Sequence, residues 1–364
     1  MSGLFSIVAS ESEWLDWRWQ LGQSTASYRV VIESLGWSGL GAVHAKYPIR
    51  VTPYYMSLAR SKEVSDPILR QCVPNVAELR EDDFGSADPF AEEGYSPVPR
   101  LVHRYEDRAL FLTTSDCATH CRHCMRKRNW SCLGGRPSDE VLEQARDYVA
   151  RHKEIREILI SGGDPLTMDD AELVRVLDAF ASLPNVEILR LGSRAPVVMP
   201  QRLTEELARV LGDCRKPVWL ATHFNHPWEL TDLASEGILR LLKQGVLTVN
   251  QSVLLAGVND DAETLRQLFT GLLAIRVKPY YLFHGDPIEG TTHFRTGIEK
   301  GLELMASLRG RVSGLAMPAF SFDLPEGGGK IRLEPGMEIQ RDADGVPVFQ
   351  SCDGRSIRYP VRRD

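Results

Sequence analysis

From residue 109 onward this 364-residue chain repeats one alternation, and that alternation most constrains its fold. Short runs rich in Leu, Ile and Val lie near 109–115, 157–162, 186–192, 218–223, 248–255 and 278–283. Segments of helical period separate them, near 138–152, 169–182, 203–212, 230–244 and 261–275, with a last one near 297–309. Strands alternating with helices imply βα units and a parallel sheet. About six units are too few for a closed eight-unit barrel, so the sequence predicts an α/β fold built on a partial, open (β/α)6 barrel. Its functional residues are expected at the C-terminal ends of the strands. Before the barrel, Trp14-Leu15-Asp16-Trp17-Arg18-Trp19 opens an aromatic stretch expected to be helical and to pack in the core. The expected organisation is a mostly helical region over 1–100, the barrel over 101–310, and a short Gly-rich, then strand-like C-terminal segment over 311–364.

Directly after the first predicted strand stands Cys117-Ala118-Thr119-His120-Cys121-Arg122-His123-Cys124. An iron–sulfur cube held by thiolates normally takes four protein ligands, so three leave one iron open to a small molecule. The competing reading is a zinc knot that adds His120, His123 and Cys132. Structural zinc shows paired CxxC or CxxC…HxxxH spacing, and no second pair is present. The seven cysteines are an odd number, scattered outside this cluster, which argues against a disulfide framework. A net charge of -6 without a basic block argues against nucleic-acid binding. No apolar run reaches membrane length and no signal peptide is read, so the expected location is the cytoplasm, whose reducing conditions suit such a cluster.

The other strand ends carry polar residues and glycines. They are Ser161-Gly162-Gly163-Asp164-Pro165, Gly192-Ser193-Arg194, Thr222-His223, Asn250-Gln251-Ser252 and His284-Gly285-Asp286. Glycines let backbone amides approach a ligand, although any one of these runs alone is ordinary turn chemistry. Gly327-Gly328-Gly329-Lys330 offers a lysine expected to be mobile and approachable, as a Schiff-base lysine must be; by itself it reads as a solvated surface lysine. Arg104 and Arg108, with His103 and Tyr105, sit just before the first predicted strand and suit a phosphate or carboxylate; the plainer reading is a surface ion pair.

The triplet at the end of a first barrel strand resembles the radical S-adenosylmethionine (SAM) superfamily. Further runs extend the likeness through most of the chain: HRYEDRALFLTTSDCATHCRHCMRKR, ILISGGDPL, LRLGSRAPVVMPQRLT, THFNHPWELT, NQSVLLAGVND, VKPYYLF, GTTHFRT and GGGK, with WLDWRWQ and TPYYMSL near the start. Together they resemble the lysine 2,3-aminomutase family, which also uses pyridoxal 5′-phosphate (PLP). The resemblance implies that Cys117, Cys121 and Cys124 hold a 4Fe–4S cluster. It implies that Ser161, Gly162, Gly163, Asp164 and His223 contact SAM. It implies PLP on Lys330, surrounded by Arg104, Tyr105, Arg108 and Gln251. Arg126 would then meet the substrate α-carboxylate, and Asp286 with Asp323 the distal ammonium of lysine, giving L-β-lysine. A buried cation needs opposing charge, and two carboxylates discriminate against acidic side chains; as isolated residues, Asp286 reads as a turn residue and Asp323 as a loop cap. A reduced flavodoxin or ferredoxin-type electron donor and a homo-oligomeric assembly are expected.

The chain departs from the family in its zinc cysteines. Its C-terminus offers only Cys352, and Asp261 stands where a mid-chain cysteine is expected, so no structural zinc is expected. His284-Gly285 before Asp286 and Glu326 in the glycine run are also unusual. The alternatives are a mutase for arginine or ornithine, a mutase acting on a lysine side chain of a translation factor, a PLP-only enzyme and a non-catalytic zinc protein.

Overall fold

Nine strands form one sheet in strict sequence order in the computed structural model, which describes residue 5 and residues 7–24, 31, 33–37, 39–80, 85–130 and 134–359. Cys132 lies outside the described residues. Ahead of the sheet come short helices, α1 (Glu11–Leu15), α2 (Trp17–Ser24), α3 (Leu40–Lys46), α4 (Pro53–Ser57) and α5 (Pro67–Cys72). β1 (Leu101–Tyr105) pairs antiparallel with β2 (Arg108–Thr114). From β2 the sheet is parallel through β3 (Glu157–Gly162), β4 (Ile188–Gly192), β5 (Val218–Thr222), β6 (Leu247–Leu254), β7 (Lys278–His284) and β8 (Ala319–Leu324). β9 (Gly329–Leu333) returns antiparallel to β8, and a separate hairpin of β10 (Val348–Gln350) and β11 (Ser356–Arg358) follows.

The crossovers are α6 (Asp139–Arg151), α7 (Asp170–Ala181), α8 (Ala195–Val198) with α9 (Glu205–Gly212), α10 (Asp232–Lys243), α11 (Ala262–Ala274) and α12 (Ile298–Leu308). Six βα units are therefore present, as the alternation predicts, and a seventh parallel strand, β8, extends them. Five of these helices start on a side-chain cap that satisfies an orphan amide: Ser138, Asp169, Thr204, Thr231 and Asp261. Asp261, which stands in place of the expected cysteine, is thus a helix cap, and its Oδ1 accepts the Thr264 N–H at 2.9 Å.

The strands have two different faces. One face is apolar and buried: Ile158 and Ile160, Leu189 and Leu191, Leu220, Leu282, Phe320 and Phe322. The residues between them, Leu159 and Ser161, Arg190 and Gly192, Ala221 and His223, Gln251 and Val253, Tyr281 and Phe283, Ser321 and Asp323, line the barrel interior. Strand alternation thus sorts the chemistry inward and the packing outward.

The first hundred residues grip the cysteine loop. The His120 N–H donates to the Arg50 carbonyl and the Arg122 N–H to the Gln71 carbonyl, both at 2.8 Å. Beneath them, fully buried Glu78 receives Arg122 at 2.6 Å and Lys127 at 2.8 Å. The resulting apolar core is continuous from Phe5 to Tyr359. Among the described residues, no helix is long and apolar enough to cross a membrane.

Candidate active site

The barrel interior is a cavity of about 840 Å³, and every residue to which the family resemblance assigns a cluster, cofactor or substrate role lines it. Its polar groups fall into three clusters.

The first is the cysteine loop, which follows the C-terminal end of β2. Among the described residues, no group of three or more His, Cys, Asp or Glu side chains is positioned to hold a single metal ion. The triplet is therefore judged by its donor chemistry. Cys117, Cys121 and Cys124 share one wall, the Arg126 N–H donates to the Cys124 Sγ at 3.3 Å, and Arg194 Nη1 donates to the Cys121 Sγ at 2.9 Å. N–H donors on thiolate sulfur are how proteins tune iron–sulfur centres, so the donor set fits a cluster. Burial and the neighbouring Cys121 push the Cys124 thiol up to about 11 in the metal-free protein; bound metal ionises such thiols outright.

The Gly-Gly-Asp turn abuts this loop. Gly163 N–H donates to the Thr114 carbonyl at 2.5 Å and Asp164 N–H to the Asp116 carbonyl at 2.7 Å. A Cβ on Gly163 would lie 2.3 Å from the Asp116 oxygen, and Gly162 sits at φ 123°. Gly163 is thus demanded by the Ser115–Asp116 backbone that leads into the cysteine loop, and Gly162 by its φ and by the end of β2. Gly163→Ala should displace that loop; after reconstitution its iron content is expected to fall well below the roughly four per chain of a full cluster. The Asp164 carboxylate is spent internally, accepting from Ser193 Oγ at 2.7 Å and from the Arg194 N–H at 2.8 Å. It ties the turn after β3 to the turn after β4.

The second holds the carboxylates, at the C-terminal ends of β7 and β8. Asp323 lies between Lys330 Nζ at 2.6 Å and Arg104 Nη2 at 3.0 Å. Burial opposes its ionisation, but these two cations hold its carboxyl below the usual range. Asp286 has no such pairing; burial, then repulsion from Asp323, push its carboxyl up to about 7. Lys330 is not a solvated surface lysine; its ammonium is engaged by Asp323. It sits on β9 opposite Asp323, with its ammonium 4.0 Å from the centre of the Phe283 ring. The glycines instead shape the β8–β9 turn: Gly329 has φ +88°, and a Cβ there would lie 2.9 Å from the Cys352 Sγ.

The third cluster is basic and lies where β1 turns into β2, at the N-terminal end of β2 rather than at the C-terminal strand ends. Arg104 and Tyr105, expected just before the first strand, themselves belong to a strand, β1, and Arg108 begins β2. Arg108 lies over the Tyr105 ring at 3.9 Å and pairs with Asp107 at 2.6 Å, while Arg104 Nη2 donates to the Tyr105 hydroxyl at 2.8 Å. Gln251 faces them from β6.

Four lining residues carry roles that sequence reasoning did not assign. Glu92 grips Arg126 through Nε at 3.1 Å and Nη2 at 2.6 Å, and also receives Arg128. Arg194 stands in a strand-end run whose pattern points to no particular role for it. His123 Nδ1 and Ser321 Oγ are buried in the wall without a hydrogen-bond partner, which is what a bound ligand satisfies. Ser321 lies on β8, which no apolar run announces, and Glu92 opens a 3-10 turn, Glu92–Tyr95; neither carried a sequence signal.

A partial parallel barrel with three thiols after its first parallel strand, a glycine turn after the second, and one cavity beneath them defines a radical SAM enzyme. Residues 111–269 match the radical SAM superfamily, and residues 305–360 match lysine-2,3-aminomutase. The L-lysine 2,3-aminomutase of Methanococcus maripaludis is 40% identical over 96% of this chain and 82% of its own length. That of Clostridium subterminale is 39% identical over 98% of this chain and 86% of its own. The glutamate 2,3-aminomutase of Clostridioides difficile is 37% identical over 98% and 85%. The chain belongs to the lysine 2,3-aminomutase family, whose members are isomerases and whose cofactors are a 4Fe–4S cluster, SAM and PLP.

Proposed function

We propose that this enzyme is a PLP-dependent 2,3-aminomutase that converts L-lysine to L-β-lysine. The observation that supports the reading is that Lys330 pairs with Asp323 and Asp323 with Arg104 inside one cavity that the three thiols, Asp286, Tyr105 and Arg108 also line. When bound, cluster and SAM supply a carbon-centred radical that takes hydrogen from substrate C3, and PLP carries the migrating nitrogen.

The chain's residues divide the remaining work. Cys117, Cys121 and Cys124 would hold the cluster, with Ser161, Gly162, Gly163 and His223 around SAM. Asp164 would act from behind, holding the turn after β3. Lys330 would anchor PLP; it is the one lysine in the cavity wall among the described residues. Arg104, Tyr105, Arg108 and Gln251 would take the phosphate. Arg126 would hold the α-carboxylate, presented by the Glu92 clamp. Asp286 and Asp323 would receive the ε-ammonium, and a carboxylate side chain arriving there would meet like charge. This disfavours glutamate, while ornithine and arginine remain outcomes of the test. In the cell the electron would come from a reduced flavodoxin or ferredoxin-type protein.

The test is anaerobic incubation of reconstituted protein with SAM, PLP, a strong reductant and separate lysine, arginine, ornithine and glutamate. A β-amino isomer from lysine is expected. 5′-Deoxyadenosine without any isomer of lysine would overturn the substrate.

A pH dependence follows from Asp286. The groups facing it are Asp323 on β8, Lys330 on β9, Arg104 on β1, Arg126 beyond the cysteine loop and Tyr359 near the C-terminus. Its carboxyl, near 7 in the free protein, must ionise to receive an ammonium. Lysine binding is therefore expected to release a proton and to weaken as pH falls below 7, by up to about tenfold per pH unit. Calorimetry in buffers of differing ionisation heat measures the proton; Asp286→Asn should abolish its release. On the same account the ligand-free fold binds the extra proton between 3.8 and about 7, so this group makes it less stable as pH rises through that window.

A further inference from the structure

Arg194 is a buried cation that the proposed chemistry does not use. Its side chain is only 7% exposed, and its donors reach five acceptors on separate parts of the chain. Nε donates to the His223 carbonyl at 3.3 Å. Nη2 meets the Tyr55 hydroxyl on α4 at 2.9 Å, Gln71 Oε1 on α5 at 2.5 Å and Glu229 Oε1 at 3.0 Å. Nη1 meets the Cys121 Sγ at 2.9 Å. A fully buried cation is tolerated only when compensated, and Glu229, fully buried, supplies the one opposing carboxylate. That carboxylate is itself pinned, by Tyr55 Oη at 2.6 Å, Gln71 Nε2 at 3.1 Å, the Asn225 N–H at 2.5 Å and the His226 N–H at 2.9 Å. The guanidinium therefore has little room to turn, and its free edge is fixed on sulfur.

We propose that Arg194 is a positioning and tuning residue whose hydrogen bond to the Cys121 sulfur sets the reduction potential of the cluster. The inference rests on the reading of Cys117, Cys121 and Cys124 as cluster ligands. The reduced cluster carries one more negative charge than the oxidised one. A rigid cation donating to a ligand sulfur stabilises that state and raises the potential. Because Tyr55 and Gln71 hold the guanidinium, the helices before the barrel share in setting the potential, which gives them a role beyond covering the rim.

The decisive measurements are EPR-monitored redox titration and pulsed EPR on the reconstituted full-length protein without substrate. Arg194→Gln is expected to keep its iron and shift the midpoint to more negative potential. Arg194→Lys, which keeps the charge but not the fork, should shift it less. Wild-type protein carrying 15N in its arginine guanidinium groups should show 15N hyperfine coupling to the reduced cluster, and Arg194→Lys should lose it. An unchanged midpoint in an iron-replete Arg194→Gln protein overturns the proposal. So does absence of 15N coupling in the wild type, which decides the matter even where the glutamine variant fails to load iron. Wild-type protein that takes up no iron removes the cluster reading itself, and this inference with it.

Discussion

Lys330→Ala is expected to lower turnover by about 10³-fold or more, because a cofactor held by one covalent bond and a few phosphate contacts loses its fixed position without that bond. Two changes should accompany it. PLP should wash out on gel filtration and borohydride should fix none of it to the chain, while the brown iron–sulfur colour persists, since Lys330 contacts Asp323, Tyr281 and Phe283 and none of the thiols. Asp323 should also be left with Arg104 alone at 3.0 Å, having lost the 2.6 Å contact to Lys330. Its carboxyl is then held down less firmly, and affinity for cationic ligands should become more dependent on pH. Normal turnover by this variant would remove Lys330 from the cofactor site.

Much of this architecture was legible from two periodicities. Helical segments between apolar runs gave six βα units because helix and strand repeats differ so plainly over ten or more residues. The strand ends gave candidate residues because a parallel barrel concentrates loops on one rim. Three things were not legible. β1, β8 and β9 are five or six residues long, and β9 carries Lys and Arg, so no continuous apolar run announces them. Without β1 the basic cluster of Arg104, Tyr105 and Arg108 had no strand to carry it into the cavity. The glycines before Lys330 read as mobility, whereas the positive φ of Gly327 and Gly329, and the contact a Cβ on Gly329 would make with Cys352, show that they also shape a tight β8–β9 turn. Finally, partners such as Glu92 for Arg126 and Glu229 for Arg194 lie 34 and 35 residues from the groups they pair with. Pairing at such separations is a product of the tertiary fold, and no local pattern encodes it.

Glu78→Ala is expected to destabilise the protein by about 3–5 kcal/mol, as removing one partner from a buried ionic cluster does. The reason is what remains. Arg122 has no exposed side-chain surface and Lys127 has 3%, so two cations would be left in the interior without a carboxylate. Arg122 would keep its bonds to the Pro48 and Tyr47 carbonyls, both at 3.1 Å, and Lys127 those to the Arg122 and Gly290 carbonyls. Neutral acceptors cannot offset two charges. The deficit relative to wild type should depend on pH at both ends. Burial opposes Glu78 ionisation, but Arg122 and Lys127 hold its carboxyl below the usual range, so its stabilisation is present above the unfolded value of 4.5 and lost as pH falls through the folded one. Burial depresses Lys127 to about 8, so its pairing with Glu78 fades as pH rises past that point. Urea denaturation at pH 4, 7 and 9 should therefore find the largest difference between Glu78→Ala and wild type at pH 7. The same variant should take up less iron, because Arg122 sits between Cys121 and Cys124 and its anchoring holds the loop against the first hundred residues. A Glu78→Ala protein as stable as wild type at pH 7, with full iron uptake, would show that the loop is held by its backbone contacts to Arg50 and Gln71 alone.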